Sequence, residues 1–326
     1  MSRLPVIVGF GGVNPAGRSS SHHGYRRMVI DALGSSEQDK TFAALAALMN
    51  RTDSASAEAR KGILDHTLVR RLETNLFDAN SIPLHKRATI KSTSDKAISF
   101  SIKRNHLPDN IPEDWVVEDT GDGTTVSISS ELDLIFNDTR SSRVLAAGQL
   151  PTGFEPEKLY QSRSHPRGLQ LTVFGASDAL NSLGIHWDEV RRRVPPDQIS
   201  VYASSAMGQL DTNGSGGLLQ AGLMGKRVSS KNLPLGLAEM TADFVNAYIL
   251  GNMGTTGANI GACATFLYNL RQGVQDIRSG RSRAVLVGAS EAPLTPDVIE
   301  GYRTMGALAE DEALKKIDSV MTALSQ

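Results

Sequence analysis

The sequence predicts an α/β fold with helices on both faces of a mixed sheet, and three observations lead there. Short apolar runs, Val6-Ile7-Val8 and Ala284 to Val287, carry no polar alternation, as strands covered on both faces require. Between them lie stripes at helical spacing, the clearest being Leu169, Val173, Ala176, Leu180 and Leu183. After Pro166 stripe and run alternate along the chain, which is the order that builds a sheet sandwiched by helices.

Taken in order, Pro5 to Phe10 reads as a short buried strand that ends in the Gly9-Phe-Gly-Gly12 turn. From about Gly34 to Val144 the character changes. Ala43 to Met49 is a helical patch, followed by polar stretches, Pro83, Pro108, Pro112 and the Gly121-Asp-Gly123 turn. Ala97 to Ile102 and Thr124 to Ile128 alternate as strands, so residues 35–145 read as an inserted α+β subdomain between 1–34 and 146–326. Past it, Gly184 stops the helix begun near Leu169 and Ile199-Ser-Val-Tyr-Ala-Ser-Ser205 is the next strand. Leu237, Met240, Phe244 and Tyr248 make a second stripe. Thr295-Pro296-Asp297 is an N-cap, a proline at the first helical position and an acid in the first turn, so a helix begins there.

The chemistry points to the only cysteine, Cys263, where the Gly-rich segment Gly251 to Gly261 breaks into a helix. Phe266, Leu267, Leu270, Val274 and Ile277 recur at helical spacing behind it, so that face is expected to pack inward, with Cys263 in the first turn. Unpaired N–H groups and the positive end of the helix dipole favour negative charge there and can donate to an oxyanion on a bound thioester. An unpaired cysteine is often only a small core hydrophobe. The small residues around this one, Gly254, Gly257, Gly261, Ala262 and Ala264, favour the nucleophile, because they let a ligand and a tight turn approach the sulfur. Thr265 stands where a strict nucleophile elbow has its closing glycine.

With 34 Lys+Arg against 35 Asp+Glu in 326 residues, no nucleic-acid or membrane partner is indicated. No apolar run approaches the ~18 residues of a bilayer span. The N-terminal apolar stretch is too short for a signal peptide, and a single cysteine fits a reducing cytoplasm. No cofactor or metal is expected: the Gly9 to Asn14 turn lacks the last glycine of a dinucleotide fingerprint, and His22-His23 matches no zinc spacing. Arg191-Arg192-Arg193 reads as a solvated helix end. Leu314, Ile317, Met321 and Leu324 form an apolar stripe that is either a docking face or a frayed end.

Gly261-Ala-Cys-Ala-Thr265, the helix to Gly280 and Arg283-Ala-Val-Leu-Val-Gly-Ala-Ser-Glu-Ala-Pro293 resemble the nucleophile segment of the β-ketoacyl synthases, the condensing enzymes of fatty-acid and polyketide assembly. Tyr302-Arg-Thr-Met-Gly-Ala-Leu308 is similar to the family's aromatic segment, and Pro5 to Gly12 to its first strand and turn. The resemblance runs in family order over roughly two-thirds of the chain. It implies the thiolase-like fold, two α/β halves in αβαβα layers, of which this chain carries the first.

The resemblance also implies that Cys263 accepts an acyl group from acyl carrier protein or coenzyme A before decarboxylative condensation with malonyl-carrier. Tyr302 stands where the family has an aromatic at the floor of the acyl pocket, and Met207 near the position that gates it. Gly254 to Ala262 resembles the strand that pairs with its own copy in a homodimer. The family's two catalytic histidines lie in second-half loops that this sequence lacks; all seven of its histidines precede Cys263. The chain therefore reads as truncated and, alone, as unable to condense. Two other readings remain: a non-catalytic or split-enzyme partner half, or a cysteine acyltransferase or thioesterase using His186 or His165 as base.

Overall fold

The computed structural model describes residues 4–314 except 94, 95, 122 and 163, and the chain divides into two compact units, 1–77 with 144–326 and 78–143. The stripe Leu314, Ile317, Met321 and Leu324 lies outside what can be described of side chains.

The first unit opens with a two-residue ladder, β1 (Val13–Asn14) on β2 (Gly17–Arg18), then α1 (His23–Met28), α2 (Ser35–Leu48), α3 (Ala57–Asp65) and β3 (Val69–Arg71). Phe42, Leu45 and Ala46 of α2 pack with Ile30, Met49 and Ile63 in one apolar cluster. Residues 35–77 therefore build the first unit's own core, and the separate unit is narrower than the 35–145 block expected from composition.

That second unit is built of strands, β4 (Ile82–Lys91), β5 (Ile98–Ile102), β6 (Trp115–Asp119), β7 (Thr124–Ile128) and β8 (Glu131–Arg140), with a 3₁₀ turn at Arg104–His106. β4 and β8 form a ten-residue antiparallel ladder, and β7 lies between β5 and β6. Thr124, Val126 and Ile128 are buried while Thr125 and Ser127 between them are not, the period-2 pattern of a half-covered sheet.

The chain rejoins the first unit through β9 (Ala146–Gly148), antiparallel to β3. There follow α4 (Arg167–Asn181), α5 (Trp187–Arg193), β10 (Ile199–Ser204), α6 (Ser215–Gln220), α7 (Asn232–Gly236), α8 (Met240–Val245), β11 (Thr256–Gly257), α9 (Thr265–Ser279), β12 (Ala284–Ala289), α10 (Pro296–Thr304) and α11 (Asp311–Leu314). A π-helical turn, Asn246–Leu250, continues α8. The sheet is parallel in the order β11-β10-β12, with every β10 residue buried. Leu169, Val173 and Ala176 of α4 pack against α8 and β10 as their spacing predicts.

Two expectations fail for physical reasons. Pro5 to Phe10 is not a buried strand: Ile7 is 84% exposed, and no described strand pairs with it. The segment ends pressed against α4, where an added Cβ on Gly11 would lie 2.2 Å from the Ala179 nitrogen. The backbone N–H groups of Phe10 and Gly12 donate to Ser182 Oγ at 2.9 Å and Asp178 Oδ2 at 3.0 Å, so side chains of α4 and of its C-cap take donors that a ladder would have used.

The second concerns α9. Its buried face is Thr265, Asn269, Gly273 and Asp276, whereas Phe266 and Leu267 are exposed, Leu267 by 60%. Gly273 sets this orientation: a Cβ there would stand 2.8 Å from Val287 Cγ1, so the helix seats on β12 through its glycine and hydrogen-bonded side chains.

Candidate functional site

Cys263 is exposed, in a 3₁₀ turn (Ala262–Ala264) that hands the chain into α9. Ala262 takes φ +48°, a left-handed conformation that costs an L-residue roughly a kcal/mol or more. The turn is braced on both sides. Gly261 N–H donates to Thr265 Oγ1 at 3.1 Å, that hydroxyl donates to Ala262 O at 2.7 Å, and Ala264 N–H donates to Gly261 O at 2.9 Å. A Cβ on Gly261 would fall 2.1 Å from the Tyr268 ring, so only glycine fits beneath the turn.

Below it sits a buried polar cluster. Asn269, 0% exposed, donates through Nδ2 to Ser204 Oγ at 2.8 Å and Gly288 O at 3.0 Å, and its Oδ1 accepts from Asn259 N at 2.9 Å. Ser204 Oγ donates to Asn259 O at 2.6 Å. The ends of β10 and β12, the strand leading to the turn and the helix leaving it thus meet on one side chain. Sequence reading passed over these residues because they are polar. The available signal was Thr265, Asn269, Gly273 and Asp276, a small and polar stripe at helical spacing.

The other two predicted residues come together. Met207, in the loop after β10, and Tyr302, on α10, are both half-buried, and the tyrosine hydroxyl points at the methionine sulfur at 3.3 Å. Glu291 anchors the same loop, accepting from Ser205 Oγ at 2.9 Å and from Ala206 N–H. Met207 follows Ser204 by three residues, so β10 links this pair to the cluster under Cys263.

Neither histidine considered as a base serves the sulfur. His165 Nδ1 lies 3.1 Å from Tyr160 Oη and Nε2 3.5 Å from Tyr248 Oη, with the Phe244 ring edge-on to it. Burial, with the charge of Lys231 second, holds its pKa below the usual histidine value. His186 is exposed and caps α5, accepting from Asp188 N–H at 3.3 Å. Among the described residues no cluster could hold a metal ion, and no helix is long and apolar enough to cross a membrane.

An exposed cysteine at the head of a helix laid across a parallel sheet is the arrangement that the resemblance to the condensing enzymes implies. Comparison with known proteins gives the same class. The sequence profile "Beta-ketoacyl synthase, N-terminal domain" matches residues 159–320. Beta-ketoacyl-[acyl-carrier-protein] synthase FabY of Pseudomonas aeruginosa is 46% identical over 98% of this chain and 53% of its own length. The crystal structure of that noncanonical ketosynthase superposes with a TM-score of 0.92, over 97% of this chain and 52% of that one. A β-ketoacyl synthase from Burkholderia phymatum, 16% identical with a TM-score of 0.51, covering 95% of this chain and 51% of that one, shares the fold. The chain belongs to the β-ketoacyl synthase family. It spans about half the length of FabY.

Proposed function

We propose that this chain is the acyl-accepting part of a β-ketoacyl-[acyl carrier protein] synthase of fatty-acid synthesis. The observation that carries this reading is Cys263, exposed at the tip of a turn braced by Thr265 and Asn269. The sulfur attacks the carbonyl of an acyl thioester, the new C–S bond replaces the old one, and the carrier thiol leaves with the cysteine's proton. The free backbone N–H groups of the first turn of α9 are the donors this reading assigns to the oxyanion.

Met207 and Tyr302 line the far end of the acyl site and bound the chain length accepted. The acyl donor is acyl carrier protein or coenzyme A, and the second substrate is malonyl-carrier. β11 bonds to β10 on one side only, which leaves an edge suited to pairing with a second copy in a homodimer. The lone thiol suits a reducing cytoplasm.

His165 and His186 are engaged elsewhere and no described histidine hydrogen-bonds Cys263, so decarboxylation of malonyl-carrier draws on groups outside these residues. Addition of malonyl-carrier to acylated chain is therefore expected to leave the acyl-enzyme intact. A 3-oxoacyl product detected by mass spectrometry would contradict this division of labour. A thioesterase reading finds no histidine base hydrogen-bonded to the sulfur among the described residues.

A further inference from the structure

We infer that Asn269 is a positioning residue for Cys263, acting as a clasp that closes the segment from Asn259 to Asn269 with the cysteine between them. The inference rests on the acyl-acceptor reading for its kinetic consequence and on geometry alone for the clasp. Asn259, on the chain entering the loop, gives both its backbone N–H, at 2.9 Å, and its side-chain amide, at 3.2 Å, to Asn269 Oδ1. Asn259 O in turn accepts from Ser204 Oγ at 2.6 Å, and that oxygen accepts from Asn269 Nδ2 at 2.8 Å.

The ring is closed and fully buried at Asn269 and Ser204, both 0% exposed, and the second Nδ2 proton goes to Gly288 O. No donor or acceptor of the Asn269 amide is left over for a ligand, so its work is mechanical. What it ties to the sheet is a turn whose other braces, through Thr265 Oγ1 and the Ala264 N–H, are all local: Ala262 is left-handed without being glycine, and Ala264 caps α9 with no side-chain hydrogen bond. Release of Asn259 lets the segment entering the turn relax, and Cys263 loses its register with the first N–H groups of α9, where displacements of an ångström cost on the order of a hundredfold in rate.

The dissection uses Asn269→Asp, which keeps the acceptor toward Asn259 but loses both donors, and Asn269→Ser, which loses both sides. The control is Asp276→Asn, on the same buried helix face beside Tyr202. Three quantities are read on the full chain: amide hydrogen exchange in peptides covering 256–266, the rate of Cys263 acylation by an acyl thioester, and its alkylation rate by iodoacetamide. Asn269→Ser is expected to speed exchange across 259–264 at least tenfold and slow acylation at least tenfold, while alkylation of the exposed thiol stays within threefold. Asn269→Asp is expected to fall between, and Asp276→Asn to change none of the three locally. Unchanged exchange at 259–264 in both Asn269 variants overturns the clasp, as does an equal acylation loss in Asp276→Asn. If the wild-type chain does not acylate at all, that failure belongs to the acyl-acceptor reading, and the exchange data still decide the clasp.

Discussion

The Tyr302 hydroxyl lies 3.3 Å from the Met207 sulfur and joins two segments 95 residues apart, the loop after β10 and helix α10. A thioether is a weak acceptor on a flexible side chain, so the bond fixes a Met rotamer without walling it in rigidly. If the pair bounds the acyl site as proposed, replacing Met207 by Ala removes the stop. Labelling of Cys263 by a ladder of acyl thioesters is expected to shift several-fold toward longer chains in Met207→Ala. Tyr302→Phe should give a smaller shift of the same sign, with about 1 kcal/mol or less lost in stability. An unchanged length profile in Met207→Ala would remove the pair from the acyl site.

One carboxylate gathers several donors of the N-terminal segment. Asp178, its side chain 1% exposed, accepts from Gly12 N–H, from Ser20 N–H and Oγ, and from Arg18 Nε at 2.7 Å. Arg18 is 41% exposed, so the charge pair itself is screened and the orphaned donors dominate the loss. Asp178→Ala is expected to cost roughly 2–3 kcal/mol in urea unfolding. Gly11→Ala should act in the same direction, because its Cβ meets the α4 backbone. A loss below half a kcal/mol in Asp178→Ala would show that the segment does not need this anchor.

Acid should weaken the fold through His165. Its folded pKa lies below the ordinary 6.5 because of burial first and the charge of Lys231 second, with only the neutral hydroxyls of Tyr160 and Tyr248 bonded to its ring. The unfolded chain therefore takes the proton first as pH falls. The stabilisation is present above about 6.5 and is lost as pH drops through the lower folded value. His23 is lowered as well, by burial and then by Arg18 and Arg26, so a wild-type scan sums both. The difference between wild type and His165→Phe isolates one. Wild-type Tm is expected to fall more than the variant's between about pH 7.5 and 5; parallel curves would place His165 outside the effect.

β10 and β12 were legible as apolar runs, α4 by its helical stripe, and the start of α10 by Thr295 before Pro296, although the Thr295 hydroxyl makes no capping hydrogen bond. The apolar pattern misled at α9 and at Val6 to Val8. In α9 the apolar stripe Phe266, Leu267 and Leu270 outranks the polar one by hydrophobicity, yet Gly273 and Asn269 decide which side meets the sheet. At Val6 to Val8 an apolar run supplied strand propensity but no pairing partner, and α4 side chains captured the neighbouring N–H groups. The exposed turn that carries Cys263 before α9 was legible because the cysteine stands alone among glycines and alanines. The Ser204, Asn259 and Asn269 ring was not, because hydrogen-bond closure across 65 residues has no sequence period.

The most direct test is intact-mass analysis of the purified chain after incubation with an acyl-coenzyme A or acyl-carrier thioester, beside Cys263→Ala. A mass increase of one acyl group in the wild type and none in the variant is the expected result. Equal labelling of both, or labelling of neither under conditions where the chain is folded, would contradict the assignment of Cys263 as the acyl acceptor.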